Sequence, residues 1–176
     1  MKKILITILL IMSMLPAAAK TLTGGVVYTV ESAREAAFEG IEYEISMEPF
    51  KKYMKDPGFI AAAKTEGGKP RVSKRGRRVV WFSNNEYAVT YHNDSKYDYY
   101  YKNGKLIAIV IHSNNTKSQY PYISKKYDRN GALLRIFYTV GKHESFGYTR
   151  DKSLTIHWNG KYGYDEDGKI IRSRKY

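Results

Sequence analysis

One short phrase constrains this chain more than any other, because it is written three times. "YYYKNGKLIAIV" begins at Tyr99, "YDRNGALLRIFY" at Tyr127 and "YGYDEDGKIIRS" at Tyr162. Aligned on glycine, Tyr100, Tyr127 and Tyr164 precede Gly104, Gly131 and Gly168 by four residues. Asn103, Asn130 and Asp167 come immediately before the same glycines, and Leu106, Leu133 and Ile170 come two after. Asn-Gly and Asp-Gly tolerate the positive φ of a tight turn, so each copy reads as strand, corner and strand. The Tyr and the Leu or Ile are expected to meet across the hairpin as a packed pair. The uneven spacing of the three glycines separates this pattern from a regular solenoid. A fourth corner, "HWNGKYGY", fits it less well.

The vocabulary around these corners extends the hairpin reading along the chain. From Val79 to Tyr176 the sequence is rich in Tyr, Val and Ile and punctuated by Asn-Asn, Asn-Gly and Asp-Gly. Strands are predicted at 79–82, 87–91, 97–101, 105–112, 120–127, 132–140, 144–148, 153–158, 161–164 and 169–174. Connections of a few residues force neighbours antiparallel, which makes a meander the economical topology. "KLIAIVIH" is apolar on both alternations, as a strand covered on two faces would be.

Upstream the pattern changes. "ESAREAAFEG" is rich in Ala and Glu and stops at Gly40, so a helix is predicted over 30–39, capped by Thr29 or by Ser32 with Glu35 in capping-box spacing. A shorter helix is expected after Ser46 in "SMEPFKKYMKDPG", with Pro49 in its first turn and Asp56-Pro57-Gly58 ending it. Residues 56–70 read as a connection. The fold class expected is α+β, with N-terminal helices packed against a long twisted antiparallel β-meander of repeated hairpins.

The first 19 residues are set aside, because "MKKILITILLIMSMLPAAAK" has the parts of a secretory signal peptide. Lys2 and Lys3 form its basic end, Ile4 to Leu15 its apolar stretch, and Ala17-Ala18-Ala19 its cleavage site, so export to the periplasm or beyond is expected after cleavage near Ala19/Lys20. The apolar stretch is too short to span a bilayer comfortably, so no stable transmembrane span is expected after cleavage. Residues 20–70 form an N-terminal helical segment and 71–176 the β-repeat region, together one globular domain.

Charge and cysteine usage narrow the partners. Lys and Arg number 30 against 17 acids, for a net charge of +13, of which Lys2 and Lys3 leave with the leader. That excess favours anionic partners outside the cytoplasm, such as an envelope polymer, a glycan or an acidic protein surface, and gives nucleic acid a lower standing. The chain has 0 Cys, so neither disulfides nor thiolate zinc sites are available.

In "KKYDRNGALLRI" and "YGYDEDGKI" the chain resembles the tyrosine-aspartate (YD) repeats of rearrangement-hotspot proteins, and also the short MORN-type repeats of small bacterial proteins. The similarity covers roughly residues 97–176. Copy one departs from it, with Tyr-Lys where Tyr-Asp is the rule. The resemblance implies a non-catalytic β-structured scaffold at or beyond the cell envelope, and it brings no catalytic residue.

Two clusters are candidates for binding. "KPRVSKRGRR" gathers Lys69, Arg71, Lys74, Arg75, Arg77 and Arg78, whose forked or point charges suit phosphate and carboxylate; the plainer reading is a solvated basic loop that protects an edge strand. Tyr97, Tyr99 and Tyr101 alternate with Asp98 and Tyr100 and should share one strand face, either as a stacking surface or as cross-strand packing. No metal site and no cofactor is expected. His92, His112, His143 and His157 form no helical pair, no Gly-x-Ser-x-Gly elbow is present, and "DEDG" at 165 is read as a turn.

The leading expectation is an exported, non-enzymatic binding or structural module that contacts an anionic envelope component or a protein partner. A second is a wall-polymer or glycan enzyme whose site is assembled by the fold, with a pocket lined by converging carboxylates, or a His with an Asp and a Ser, as the mark to look for. A third, prompted by the repeat resemblance, is a secreted toxin-like or immunity-like component.

Overall fold

The computed structural model describes residues 22–23, 26–56, 71–73, 76–83, 85–113 and 119–174. The proposed leader, most of the 56–70 connection, and Lys69, Lys74 and Arg75 lie outside them. The two-stranded pair β1 (Leu22–Thr23) and β2 (Val26–Val27) precedes helix α1 (Val30–Phe38) and the 3-10 helix η1 (Glu48–Tyr53). The remaining strands are β3 (Arg71–Ser73), β4 (Arg77–Trp81), β5 (Glu86–Tyr91), β6 (Asp94–Lys102), β7 (Lys105–His112) and β8 (Tyr122–Asp128). They continue with β9 (Leu133–Gly141), β10 (Glu144–Thr149), β11 (Leu154–Asn159), β12 (Tyr162–Tyr164) and β13 (Ile170–Ser173). From β3 to β13 they form one 11-stranded sheet in chain order, every neighbour antiparallel.

All ten predicted strands are present, and the meander is the topology. The additional strand in the sheet is β3, which lies inside the basic run. That run is not a loop ahead of the sheet: Arg71–Ser73 pairs with Arg77–Arg78 and Val79 across a corner at Gly76, whose φ is +71°. A short polar strand carries no alternation to read, so only pairing reveals it. Helix α1 starts at Thr29 as expected, but the box closes with Ser32: each residue's side-chain oxygen accepts from the other's backbone N–H, at 3.1 and 2.9 Å. Ser32 with Glu35 plays no part in it.

The corners obey a shared geometry. At Asp128 and at Asp165 the carboxylate Oδ1 accepts two backbone N–H groups, from Asn130 and Ala132 in one and from Asp167 and Lys169 in the other. The same backbone bonds close both turns, Gly131 N–H to Asp128 O and Gly168 N–H to Asp165 O at 3.1 Å each. Thr149 to Ser153 repeats the turn, with Lys152 at φ +71° where the others have glycine. Corner one has Lys102 in place of Asp, offers no carboxylate to those N–H groups, and tightens to two residues, Asn103 and Gly104, both at positive φ.

Each of these four corners is followed by a register shift that leaves one residue unpaired: Ile107, Leu134, Thr155 and Ile171. The bulge decides which apolar residues share a face. Tyr127 faces Leu133 and Tyr164 faces Ile170, as the motif predicts, and Tyr148 faces Leu154 at the corner the motif does not cover. In corner one the shorter turn moves the pairing by one, so Tyr101, not Tyr100, faces Leu106.

The inner face of the sheet carries the core, with Tyr87, Tyr99, Tyr101, Leu106, Ile109, Tyr127, Leu133, Ile136, Phe146 and Tyr148 all at most 2 % exposed. Against it lie Ala33, Ala37 and Phe38 of α1 and Phe50 of η1. Phe38 meets the Tyr148 ring edge-on, and Tyr148 donates to the Val30 carbonyl at 2.8 Å. The helical part is small. More of the joining is done by short stretches of chain: Ile45 N–H donates to Gly131 O and Leu133 N–H to Tyr43 O, while Asp56 N–H donates to Gly104 O and Leu106 N–H to Met54 O, all at 2.8–2.9 Å.

Candidate functional site

Two kinds of charge meet the two faces of the sheet. On the inner side, Arg77 is buried with Asp56: Nη1 donates to Oδ1 at 2.6 Å, and the Tyr87 hydroxyl donates to Oδ2 at 2.7 Å. Arg77 therefore anchors the segment after η1 to strand β4 and is withdrawn from the basic surface expected there. Arg78, next along the strand, points the other way and is exposed. Arg71 lies on β3 beside them. Tyr97, Tyr99 and Tyr101 share one face, as their alternation predicts, and that face is the core. Tyr99 and Tyr101 are buried, Tyr97 packs half-buried on Phe50, and burial holds the Tyr99 and Tyr101 phenols neutral well above their ordinary range. These rings are packing, not a stacking platform, because the N-terminal segment covers them.

The opposite face is the better candidate. Asp98 and Tyr100 of β6, Val110 and His112 of β7, Tyr122, Ser124 and Lys126 of β8, and Arg135, Phe137 and Thr139 of β9 stand on alternate positions of four adjacent strands. Together with the β9–β10 turn and Arg174 they line a groove of about 710 Å³. That size is in the range of small-ligand sites.

Aromatic rings and cations meet in this groove and at its margin, where Trp158 and Phe82 stand beside lining residues. Lys126 Nζ lies 4.4 Å from the centre of the Tyr100 ring, Arg135 lies 6.0 Å from that of Phe137, and Arg174 lies 3.7 Å from that of Trp158. Phe82 stacks on Tyr100 at 5.7 Å and Tyr120 on Tyr122 at 5.8 Å. Burial, and then the neighbouring Arg135, lowers the pKa of Lys126, while burial and Asp98 push the Tyr100 phenol up to about 12. Two glycines keep the outer surface close-fitting: a Cβ on Gly147 would meet the Phe137 ring and the Thr155 hydroxyl at 3.0 Å, and one on Gly163 would meet Ile156 at 2.6 Å.

The groove floor holds a linear polar chain across four strands. Thr90 Oγ1 donates to Asp98 Oδ1 at 2.6 Å, Asp98 Oδ2 is 3.0 Å from His112 Nε2, and His112 Nδ1 is 2.7 Å from Ser124 Oγ. An ionised Asp98 accepts only, so it selects Nε2–H on His112 and leaves Nδ1 to accept from the Ser124 hydroxyl. Ser124 sits mid-strand, paired with His112 on one side and Phe137 on the other, so its backbone belongs to the ladder and adds no oxyanion donor. A second histidine, His157, is buried on the inner side, 3.0 Å from Glu144 and stacked on Phe146 at 4.2 Å.

Of the candidates read from sequence, Tyr97, Tyr99 and Tyr101 lie on β6 on the face opposite this groove, where they pack as one of the two readings expected, and Arg71, Arg77 and Arg78 lie on β3 and β4, away from it. The outer strip was visible as the complementary alternation, Asp98-Tyr100, Ser124-Lys126 and Arg135-Phe137, and its mixture of rings and charges is the signal that marks it. No family model matches this chain, and neither a curated protein nor a solved structure matches it.

Proposed function

We propose that the chain is an exported, non-enzymatic module of α+β class that holds an anionic envelope polymer or glycan in the outer groove. Export follows from the leader-like residues 1–19, and the α+β reading from the small helical part that meets the inner face. The YD- and MORN-like phrase supports a scaffold role of the same kind. The observation that carries the binding reading is the pairing of Lys126 and Arg135 with the rings of Tyr100 and Phe137 in the groove, and of Arg174 with Trp158 at its margin. Cations take the carboxylate or phosphate, and flat rings take the apolar faces of sugars. The test is retention of the chain on polygalacturonate against neutral dextran at low and raised salt. Retention by the acidic polymer alone, weakened by salt and about tenfold lower in the Lys126→Met/Arg135→Ala variant, is the expected result. Equal retention on both polymers, or none on either, defeats it.

A hydrolytic reading has one observation in its favour, the Asp98–His112–Ser124 chain on the groove floor. A fluorophosphonate adduct on Ser124 is its measure. An unmodified Ser124 after prolonged exposure removes that reading and leaves the binding groove.

A further inference from the structure

The molecule shows twice what its corners hold. At Gly131 and at Gly104 a short stretch of the N-terminal segment lies across the hairpin end and makes the same two backbone bonds. A docked residue donates to the glycine carbonyl (Ile45 to Gly131, Asp56 to Gly104), and the Leu two positions after the glycine donates to the carbonyl two residues earlier in the docked stretch (Leu133 to Tyr43, Leu106 to Met54). Isolated bridges Glu44↔Ala132 and Lys55↔Lys105 record the same placement. Both corners are sealed as a result: Gly104 and Gly131 are buried, and Leu106 and Leu133 are each 2 % exposed.

The third corner has the same turn and no such cover. Asp165 caps it as Asp128 caps its counterpart, and Tyr164 faces Ile170 as Tyr127 faces Leu133. Yet Gly168 is exposed, Ile170 is 53 % and Ile171 44 % exposed, and β13 is an edge strand whose four residues all face solvent. Helix α1 reaches this corner through Arg34, which pairs with Glu166 at 2.7 Å on the turn itself. Among the described residues, no stretch lies against Gly168 and Ile170.

We propose that this corner is a docking site for an extended, acidic segment of a partner polypeptide, added as the Tyr43–Ile45 stretch is added at Gly131. Backbone geometry sets the extended form, because both internal precedents use main-chain N–H and C=O groups in alternation. Charge sets the composition. On the turn Asp165 is engaged by backbone N–H groups and Glu166 by Arg34, Lys169 and Arg172 stand beyond Asp167 and Gly168, and the stretch docked on its closest counterpart, "IEYEI", carries Glu42 and Glu44. An apolar residue in the place of Ile45 would cover Ile170, and acids on either side of it would meet the basic flank. This surface is separate from the outer groove and does not depend on what the groove holds.

The experiment titrates the chain with a blocked synthetic peptide of residues 41–47, "IEYEISM", and follows backbone amides by NMR. Saturable shifts at Gly168, Ile170 and Ile171 are expected, with binding about tenfold weaker in Ile170→Pro, which deletes the docking N–H at an edge position that tolerates proline. Ile170→Lys, which keeps the N–H and removes the apolar cover, weakens binding less if the backbone bond is the anchor. Unchanged amides at Gly168 and Ile170, shifts confined to Leu106 and Leu133, or equal binding by wild type and Ile170→Pro each overturn the proposal.

Discussion

The two faces of this sheet are built from the same strands, and they solve opposite problems. On the inner face tyrosines are used as hydrocarbon: Tyr99, Tyr101 and Tyr148 are buried among Leu, Ile and Phe, and the Tyr148 hydroxyl is spent on one backbone carbonyl. On the outer face Tyr100 and Tyr122 remain half-exposed, and their neighbours are Lys126, Arg135 and His112. One residue type thus serves as core or as groove wall according to the parity of its position, and the bulge after each corner sets that parity. What a tyrosine does here depends on a register that no local window contains.

Alkali is the harshest test of that comparison. Tyr87, Tyr99, Tyr101, Tyr127, Tyr138 and Tyr148 all have pKa values raised above 10.0, with burial as the main cause, and Tyr127 reaches about 12. Each is folded as the neutral phenol, whereas the unfolded chain ionises near 10.0. Their contribution to stability is therefore complete below that pH and is lost as pH climbs from 10.0 through the raised values. Thermal unfolding followed by circular dichroism should show a Tm steady up to about pH 9.5 and collapsing above it. A Tm that is flat to pH 12 would mean that the inner phenols reach water.

Single substitutions then separate the faces. Tyr148→Ala empties a fully buried site under α1 and should lower stability by about 3–5 kcal/mol in urea melts. Tyr148→Phe keeps the ring and should lose only about 1 kcal/mol, the share of its bond to Val30. Gly131→Ala comes next. Its φ is +92°, and an added Cβ would strike the Ile45 carbonyl oxygen, so the docked stretch must lift; about 1–3 kcal/mol is expected, with Leu133 amide exchange accelerated. Protection of Leu133 equal to that in the wild type would break the link between corner and docked segment.

Much of this fold is legible in the sequence, and the reasons it stops being so are local. Strands 105–112 and 132–140 are legible, the first as an apolar run, and Asn-Gly corners mark the starts of both. The run looks covered on both sides because a bulge at Ile107 puts Leu106 with Ile109 on one face, as one at Leu134 puts Leu133 with Ile136. Spacing of three is not what a strand period of two leads a reader to expect, so the assignment of residues to faces fails just after each corner. The corner at Lys152 was hidden for a different reason: a lysine occupies the left-handed position, and neither glycine nor asparagine announces it. Arg77 was misplaced because its partner, Asp56, is distant in sequence, and a charge run gives no sign that one member turns inward.

The smallest stability effect is expected on the outer face, and its sign is informative. Lys126 is half-buried over Tyr100 beside Arg135, and burial and that neighbour both lower its pKa, so the fold holds the ammonium less well than water does. Solvent screens much of this penalty because the side chain remains partly exposed. Lys126→Met keeps the stem over the ring and removes the charge, so stability should be unchanged or raised by about 0.5 kcal/mol. The same variant should lose affinity for polygalacturonate, and the loss should shrink as salt rises. A cation that the fold gains nothing from keeping, set against an aromatic ring in an open groove, is the pattern that the proposed binding role requires. A marked fall in Tm for Lys126→Met would show instead that Lys126 is part of the packing, and the contrast between the two faces would lose its clearest member.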